Sequence, residues 1–279
     1  MTLGPTTGCV ASLLVLGLGT VSCSHLSPPR LEATGALQQH SEPVSLDGGY
    51  LEIHLARRVP ELLNAPLVVF ASGDGGWFGA AIGMFDAIAA AGYPVAGVSS
   101  RALLHDMRTS SHPLSAVRLL DAYGGIIAAA QRAFGLPANR DIVLAGWSRG
   151  ASLSVIVGAE HPTTPVVGVV AIGLAAAENL NVDLTSDDEA EEPGVGVLHG
   201  TDTYAMSLAI PGRVAVIQSS GDGYLAANRA HALFGADTAA RHFYEVPASN
   251  HRFSGGEAAF RRNLRDALRW ISTGEDNHP

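Results

Sequence analysis

A serine enclosed by two glycines is the residue of this sequence whose surroundings most clearly suggest chemistry. Residues 146–150 read G-W-S-R-G, follow a short apolar run at 141–145 and precede a helix-prone run at 151–160. A strand, a sharp turn and a helix are what a nucleophile elbow requires, because the turn lifts the hydroxyl clear of the sheet. A Cβ at either glycine would clash with the neighbouring strand or helix. The pattern predicts Ser148 as a nucleophile; a turn whose serine caps the helix is the alternative.

The base that would activate this serine is expected further along the chain. A hydroxyl is a poor nucleophile until a base takes its proton, and in this arrangement the histidine comes last in chain order. His251 follows the last predicted strand, 241–246, and precedes the closing helix, 258–271. That loop is where the histidine of such a triad belongs, so His251 is the expected base. His242 is the runner-up, although it lies inside the strand.

An acidic residue that orients the histidine is expected after the predicted strand at 213–218. Asp222 stands there within a G-D-G segment. Its expected task is to hold the ring of His251 and to stabilise its protonated form. The same three residues are also typical of a plain turn. Asp202 is the fallback for this role.

The negative oxygen that forms when a serine attacks a carbonyl needs two preorganised N–H donors. One is expected from the backbone of Arg149, directly after the serine. The other is expected from the G-D-G-G loop at 73–76, which follows an apolar strand, with Asp74 and Gly75 as the two candidates. Two tryptophans adjoin these segments and are expected to contact the substrate: Trp77 and Trp147.

The same glycine-rich loop allows a second interpretation, in which it holds the phosphates of a dinucleotide. Residues 73–79 do not fit G-x-G-x-x-G, because Phe78 stands at the third glycine position. The next strand ends before Arg101 without an acidic residue for the ribose. An NADP-dependent oxidoreductase would also leave the serine, histidine and aspartate unexplained. No group of Cys and His has metal-ligand spacing, so neither a cofactor nor a metal is expected.

Segments with strand character alternate with helical segments along the chain and predict an α/β fold. The predicted strands are 66–72, 94–98, 141–145, 166–172, 213–218 and 241–246. The predicted helices are 78–91, 114–134, 151–160, 225–234 and 258–271. Residues 44–46 and 51–55 alternate around a D-G-G turn and predict an antiparallel hairpin at the sheet edge. This alternation indicates a mostly parallel central sheet with helices on both faces.

The chain is expected to hold a single α/β domain at 42–275, preceded by a leader and by a flexible tether at 24–41 that contains P-P. Residues 179–211 interrupt the alternation and are rich in Asp and Glu. They are expected to form either a solvated loop or a lid insertion over the site. The net charge of −9 and the absence of a basic run argue against a nucleic-acid partner. No feature indicates an oligomeric state.

Residues 1–23 are predicted to be an export signal. The apolar segment at 10–21 is too short to span a bilayer comfortably and ends in small residues. The T-V-S-C sequence that ends at Cys23 resembles a bacterial lipoprotein cleavage box, in which the cysteine becomes lipid-modified and N-terminal. The other cysteine is Cys9, so loss of the leader would leave no intrachain disulfide. We therefore expect an exported protein, with Cys23 as the candidate for a lipid anchor at a membrane surface.

Three segments carry a resemblance to a known family. S-G-D-G-G-W at 72–77 after an apolar strand, G-V-S-S-R at 97–101 after the next strand and the elbow at Ser148 resemble the bacterial VirJ/AcvB family of exported α/β-hydrolases. The resemblance implies the α/β-hydrolase fold and a role at the periplasmic membrane face. For members of the AcvB type it implies hydrolysis of the aminoacyl ester of lysyl-phosphatidylglycerol, whereas VirJ is tied to secretion and virulence. Trp147 and Arg149 stand where the family more often has Tyr and Phe.

Three functional hypotheses follow from these patterns. The first is a serine hydrolase that cleaves a small-molecule or lipid ester through a Ser-His-Asp triad and an acyl-enzyme. The second is a hydrolase-derived envelope protein that binds a partner or assists secretion without catalysis. The third is acyl transfer to an acceptor other than water.

Overall fold

The computed structural model describes residue 1 and residues 36–46, 49–109, 114–180 and 200–275. This part of the chain contains ten strands and seven helices. The strands are β1 (Ala36–Leu46), β2 (Gly49–Val59), β3 (Leu67–Ala71), β4 (Val95–Val98), β5 (Ile142–Trp147), β6 (Val166–Ile172), β7 (Ala177–Glu178), β8 (Thr201–Asp202), β9 (Arg213–Ser219) and β10 (Arg241–Val246). The helices are α1 (Ala80–Ala90), α2 (Ser100–Thr109), α3 (Ala116–Phe134), α4 (Arg149–Ala159), α5 (Thr203–Ser207), α6 (Ala227–Phe234) and α7 (Glu257–Thr273). Described residues from 36 onward belong to one compact unit, 33–279.

Eight of the strands form one sheet in the order β1-β2-β4-β3-β5-β6-β9-β10. The strands from β4 to β10 in this order run parallel, and the antiparallel β1–β2 hairpin pairs with β4 at one edge. Parallel strands all end at the same side of the sheet, so the loops after β3, β5, β6, β9 and β10 lie along one crevice. In open α/β sheets that side holds the ligand site.

Helices cover both faces of the sheet, because successive side chains of a strand enter two different apolar clusters. In β5, Leu144 belongs to the cluster with helices α2 to α6, and Val143 belongs to the cluster with α1 and α7. Helix α4 is buried along almost its whole length. Burial on both faces is why the parallel strands read as continuous apolar runs in the sequence.

The predicted parallel sheet, the edge hairpin and the five predicted helices are confirmed, with ends that differ by a few residues. Helix α2 was missed even though its apolar residues at 103, 104 and 107 have helical spacing. Helix α5 has only five residues, too few to show a period, and the short β7–β8 pair was not predicted.

The boundary between the predicted tether and the domain needs a correction. Residues 36–41, which were expected to end the tether, belong to β1 and pair with β2. They are exposed and therefore show no alternation of apolar and polar residues. Other predictions lie outside the described residues: the export signal apart from residue 1, Cys23 and the acidic stretch at 183–192. Within the part of the chain that is described, no helix has the length and apolarity to cross a membrane.

Candidate active site

Ser148 lies in the sharp turn between β5 and α4. Its backbone has φ 56° and ψ −123°, a conformation that costs energy for any residue with a Cβ. Its amide donates to the carbonyl of Ile172 at the end of β6, at 2.8 Å. The Ser148 hydroxyl makes no capping hydrogen bond to α4. The structure therefore does not support the alternative that this serine only caps the helix. The turn places a half-buried serine at the carboxyl end of the parallel strands.

Two glycines make this turn possible. A Cβ built at Gly146 would overlap the backbone of Gly150, and one built at Gly150 would overlap the carbonyl oxygen of Ala71 in β3. Both overlaps are with backbone atoms, which cannot rotate out of the way as a side chain can. The expectation that glycine is needed on both sides of the serine is confirmed.

A histidine–aspartate pair occupies the loops after β9 and β10. Nδ1 of His251 lies 2.6 Å from Oδ2 of Asp222, whose side chain is completely buried. The other carboxylate oxygen, Oδ1, accepts the backbone N–H groups of Tyr224 at 2.9 Å and Leu225 at 3.4 Å. Because an ionised carboxylate only accepts, the imidazole donates from Nδ1, which makes Nε2 the ring nitrogen that can accept a proton.

The ring of His251 is held by its neighbours. Nε1 of Trp147 donates to the backbone carbonyl of His251 at 3.2 Å, and the two ring centres are 5.5 Å apart. The ring of Tyr224 meets the imidazole edge-on at 4.9 Å. Gly173 lies so close that a Cβ there would be 2.8 Å from Cε1 of the histidine. The imidazole therefore has little freedom to move within its pocket.

Ser148 and the His251–Asp222 pair adjoin the end of the same strand, β6. The serine amide is bound to Ile172, and the imidazole lies against the next residue, Gly173. Nε2 of His251 is buried and has no hydrogen-bond partner among the described residues. This is the nitrogen that faces the serine in a triad, and such bonds often form only when substrate is bound.

The loop after β3 lies directly against the serine. A Cβ at Gly73 would be 3.3 Å from Cβ of Ser148. Of the two donors expected in this loop, the amide of Gly75 is engaged by the side chain of Asp74, at 2.9 Å. The amide of Arg149 begins helix α4, where N–H groups point out of the helix end. The amides of Asp74 and Arg149 are thus the better candidates for an oxyanion site.

Two buried serines orient the peptide group that joins Gly73 to Asp74. The carbonyl of Gly73 accepts the hydroxyl of Ser72 at 3.1 Å and that of Ser100 at 2.8 Å. Because a peptide unit is planar and trans, fixing its C=O also fixes its N–H, which belongs to Asp74. Sequence reasoning gave neither serine a role. Both belong to the segments that carry the family resemblance, 72–77 and 97–101. However, Ser100 and Gly73 are 27 positions apart in the chain.

The side chain of Arg149 ends in a buried ion pair with Glu178 of β7. Its Nη2 lies 3.0 Å from Oε1 of that glutamate and also donates to the carbonyl of Asn179 at 3.0 Å. Burial raises the pKa of the Glu178 carboxyl more than Arg149 and Arg108 lower it, and Asp74 raises it further. The pair ties the first residue of α4 to β7.

The two tryptophans expected to contact substrate lie in different surroundings. Trp77 stacks on His54 at 4.2 Å and meets Phe85 of α1 edge-on at 5.1 Å. The structure thus packs Trp77 into the sheet–helix interface rather than beside the histidine–aspartate pair. Trp147 does belong to the site, where it contacts His251 through both its ring and its Nε1.

Two other aromatic side chains are exposed at the site. Phe78 is 57% exposed, and its ring would be 3.0 Å from a Cβ at Gly75 in the loop after β3. Tyr224 is 83% exposed and contacts the imidazole. They give the site apolar surface on both the serine loop and the histidine loop.

The two fallback residues have other roles. His242, in β10, stacks on Trp270 at 4.0 Å. Asp202 accepts the amide of Ala205 at 2.9 Å and caps α5. Besides the two serines, the sequence analysis missed Gln218 in β9. Its side chain donates to Asp222 at 3.0 Å, and no sequence motif marks it. Across the ranges described above, no three His, Cys, Asp or Glu residues are grouped so as to hold a metal ion.

Residues 65–184 match the family model of the bacterial virulence protein VirJ, so the chain is VirJ-like over that range. The range contains the elbow and the loop after β3, whereas Asp222 and His251 lie beyond it. The resemblance inferred from the sequence motifs is thereby confirmed. A search of curated proteins finds no match.

Solved structures similar to this chain include three bacterial proteins. A Klebsiella pneumoniae protein proposed to be a dienelactone hydrolase is 12% identical, with a TM-score of 0.61 over 85% of this chain and 99% of that one. Proline iminopeptidase from Mycobacterium smegmatis is 12% identical, with a TM-score of 0.60 over 84% and 99%. An esterase domain from Rhodothermus marinus is 15% identical, with a TM-score of 0.57 over 85% and 100%. At such identities the likeness establishes the fold, which is the α/β-hydrolase fold.

Proposed function

We propose that the protein is a serine hydrolase that cleaves a carboxylic ester through Ser148, His251 and Asp222. The observation that carries the proposal is the 2.6 Å contact between Nδ1 of His251 and Oδ2 of Asp222. It lies beside the same strand end as a serine with φ 56°. A strained serine, an imidazole with a buried Nε2 and a carboxylate that fixes the other ring nitrogen are the parts that acyl transfer requires.

In the proposed reaction, Oγ of Ser148 attacks the ester carbonyl while Nε2 of His251 takes its proton. Asp222 keeps the imidazole in the tautomer with a proton on Nδ1 and stabilises the imidazolium. Collapse of the tetrahedral intermediate breaks the ester C–O bond, and the proton on Nε2 goes to the leaving alcohol. Water then attacks the acyl-enzyme, with the same nitrogen as base, and Ser148 is released together with the carboxylic acid.

The proposed oxyanion site consists of the backbone N–H groups of Arg149 and Asp74. Arg149 follows the nucleophile and begins a helix, whose N-terminal end favours negative charge. The amide of Asp74 is oriented through the Gly73 carbonyl, which two buried serines hold. Preorganised donors of this kind stabilise charge that develops only in the transition state.

For the substrate we propose the aminoacyl ester of an aminoacylated phospholipid such as lysyl-phosphatidylglycerol. The VirJ-like range at 65–184, through the resemblance described above, favours this class. Exposed Phe78 and Tyr224 offer apolar contact to a lipid. The exposed carboxylate of Asp74 adds negative charge that suits an amino group.

Labelling with a fluorophosphonate probe tests the nucleophile. The probe should modify the unaltered protein, and Ser148→Ala should abolish both labelling and ester turnover. Ser152→Ala, one helical turn away in α4, is the matched control, because it removes a buried hydroxyl that has no partner in the described structure and should leave both activities intact. Labelling that persists at another serine would overturn the assignment. Binding of an envelope partner that survives Ser148→Ala, with no labelling at all, would favour the non-catalytic alternative.

The substrate is tested separately, with vesicles that contain lysyl-phosphatidylglycerol. Release of free lysine by the unaltered protein, and accumulation of the lipid in cells that lack the protein, are the expected results. Hydrolysis of a soluble p-nitrophenyl ester without lysine release would retain the serine hydrolase and reject the lipid substrate.

We also propose that the protein is exported and anchored to the periplasmic face of a membrane through Cys23. The support is the export-signal pattern at 1–23 of the sequence, of which the structure describes residue 1 alone. Metabolic labelling with an alkyne fatty acid should mark the protein, and Cys23→Ser should remove the label. A labelled Cys23→Ser variant would reject this anchor.

A further inference from the structure

Gln218 is an amide in a place where an apolar side chain would be expected. It is the sixth residue of β9, which lies between β6 and the edge strand β10, and it is 0% exposed. The preceding residues of the strand, Val216 and Ile217, are core residues with the same burial. A buried amide costs free energy unless its polar atoms are paired. An amide at this position therefore needs polar partners.

The amide of Gln218 is directed at the aspartate of the candidate triad. Nε2 donates to Oδ2 of Asp222 at 3.0 Å and to the backbone carbonyl of Leu225 at 2.6 Å. Both neighbours are acceptors, so the amide must present its NH₂ group to them, and both of its hydrogens are used. Oε1 is buried and has no partner within the described residues. The hydrogen-bonding capacity of the Gln218 amide is thus used by its NH₂ group, which faces Asp222, and not by Oε1.

Gln218 completes the set of donors around the carboxylate. Oδ1 of Asp222 takes two backbone N–H groups, and Oδ2 takes Nδ1 of His251 and Nε2 of Gln218. An ionised carboxylate has about four acceptor positions. With all four used, the carboxylate is held in one orientation. Among these four donors, Gln218 and His251 are the two that come from side chains.

We propose that Gln218 is a positioning residue for the hydrolytic reaction, because its Nε2 holds Oδ2 of Asp222 aimed at Nδ1 of His251. The proposal rests on the proposed function for its effect on catalysis. The effect of Gln218 on His251, which the Asp222 carboxylate transmits, can be measured without a catalytic assay. A residue that acts only on this alignment should affect kcat and leave ground-state binding of the substrate unchanged.

Gln218→Met tests the proposal, because methionine keeps the length of the side chain and removes both donors. The expected result is a kcat lower by roughly 10- to 100-fold with a nearly unchanged KM, as for other groups that orient a catalytic residue. Gln131→Met is the matched control, since Gln131 is also a buried glutamine that donates to a backbone carbonyl, that of Ala138 at 3.3 Å. It lies in α3 and should leave kcat unchanged.

A spectroscopic measurement separates this proposal from the proposed function. In protein labelled with ¹⁵N-histidine, the proton on Nδ1 of His251 should give a resonance that shifts or broadens in Gln218→Met and stays in place in Gln131→Met. If Gln218→Met does not fold, Gln218→Glu keeps the volume, replaces the donor by an acceptor and should perturb the same resonance.

An unmoved His251 resonance in a folded Gln218 variant, or an unchanged kcat, would overturn the proposal. If the unaltered protein hydrolyses no ester and takes no probe, the proposed function fails. The resonance alone then decides whether Gln218 positions the pair.

Discussion

Ser148 is held by the backbone around it, whereas His251 and Asp222 depend in addition on the side chains of other segments. On the serine side, which is the turn at 146–150, two glycines and a φ of 56° fix Ser148. On the histidine side, which is Asp222, His251 and the residues bound to them, two backbone N–H groups bind Asp222, and the side chains of Gln218 and Trp147 add further contacts. Trp147 is part of the turn, but its side chain contacts His251.

This difference has consequences for how each side responds to substitution. Backbone overlap cannot be relieved by rotating a side chain, so a Cβ added at either glycine of the serine side should affect the fold as a whole. Hydrogen bonds on the histidine side can be removed one at a time. Each has a net contribution of about 0.5–1.5 kcal/mol, or about 1.5–3 kcal/mol where the partner is a charged group such as the Asp222 carboxylate. Changes there should lower activity by graded amounts while the protein remains folded.

Gly150→Ala should have the largest effect of any single substitution on either side. The new Cβ would overlap the carbonyls of Ala71 and Ser72 in the adjacent β3 segment. We expect a loss of more than about 4 kcal/mol of unfolding free energy, or no folded protein at all. Thermal unfolding followed by circular dichroism measures the effect.

Gly124→Ala is the matched control for this substitution. Gly124 lies inside α3, and a Cβ there would meet no atom within 4 Å. Replacing a helical glycine by alanine should raise stability by about 0.5–1 kcal/mol. A folded, normally stable Gly150→Ala protein would contradict the view that backbone contacts fix the serine side.

Asp222→Asn should abolish most activity without unfolding the protein. The new NH₂ group would face the donors Gln218 Nε2 and His251 Nδ1, which forces the imidazole into the wrong tautomer. A comparable change in a serine protease lowers kcat by about 10⁴-fold, and we expect a fall of similar size in kcat for a p-nitrophenyl ester. Asp202→Asn is the control, because asparagine can still cap α5 and the fallback acid should prove dispensable. Equal losses in the two variants would reject the assignment of Asp222.

The serine side could be predicted from the sequence because its determinants are local. Gly146, Ser148 and Gly150 lie within one turn, and the need for glycine follows from steric overlap alone. His251 and Asp222 could be placed because the order of strands implies which loops meet at one side of the sheet.

Contacts between distant segments could not be predicted in this way. Gln218 reads as one polar residue in an apolar strand, and only the packed fold brings Asp222 to it. Ser100 acts on a carbonyl 27 positions earlier in the chain. Trp77 and Trp147 both adjoin candidate loops in the sequence, but the side of the sheet on which each ring packs depends on tertiary contacts.

Trp147→Phe tests whether the loss of one hydrogen bond on the histidine side lowers the activity by a correspondingly small amount. Phenylalanine keeps an aromatic ring but loses the bond from Nε1 to the carbonyl of His251. A net loss near 1 kcal/mol should lower kcat by roughly 3- to 10-fold. Trp77→Phe is the control, since that ring packs on His54 and Phe85 and should change stability more than kcat. A large rise in KM for Trp77→Phe would instead restore its expected role in substrate binding.

Glu178→Gln should have the smallest effect and asks whether a side chain also matters on the serine side. Because burial raises the pKa of Glu178 above its ordinary 4.5, this carboxyl takes up a proton at a higher pH in the folded state than in the unfolded state. The stability contributed by this group is therefore present below about pH 4.5 and is lost as the pH rises through the raised value. Urea unfolding of the unaltered protein across that range should show a decline that Glu178→Gln lacks. The turnover rate should change less than about 3-fold, because the proposed oxyanion donor of Arg149 is its backbone N–H and not its side chain. A tenfold fall in kcat would show that the ion pair with Glu178 positions the start of α4, and the contrast between the two sides would then fail.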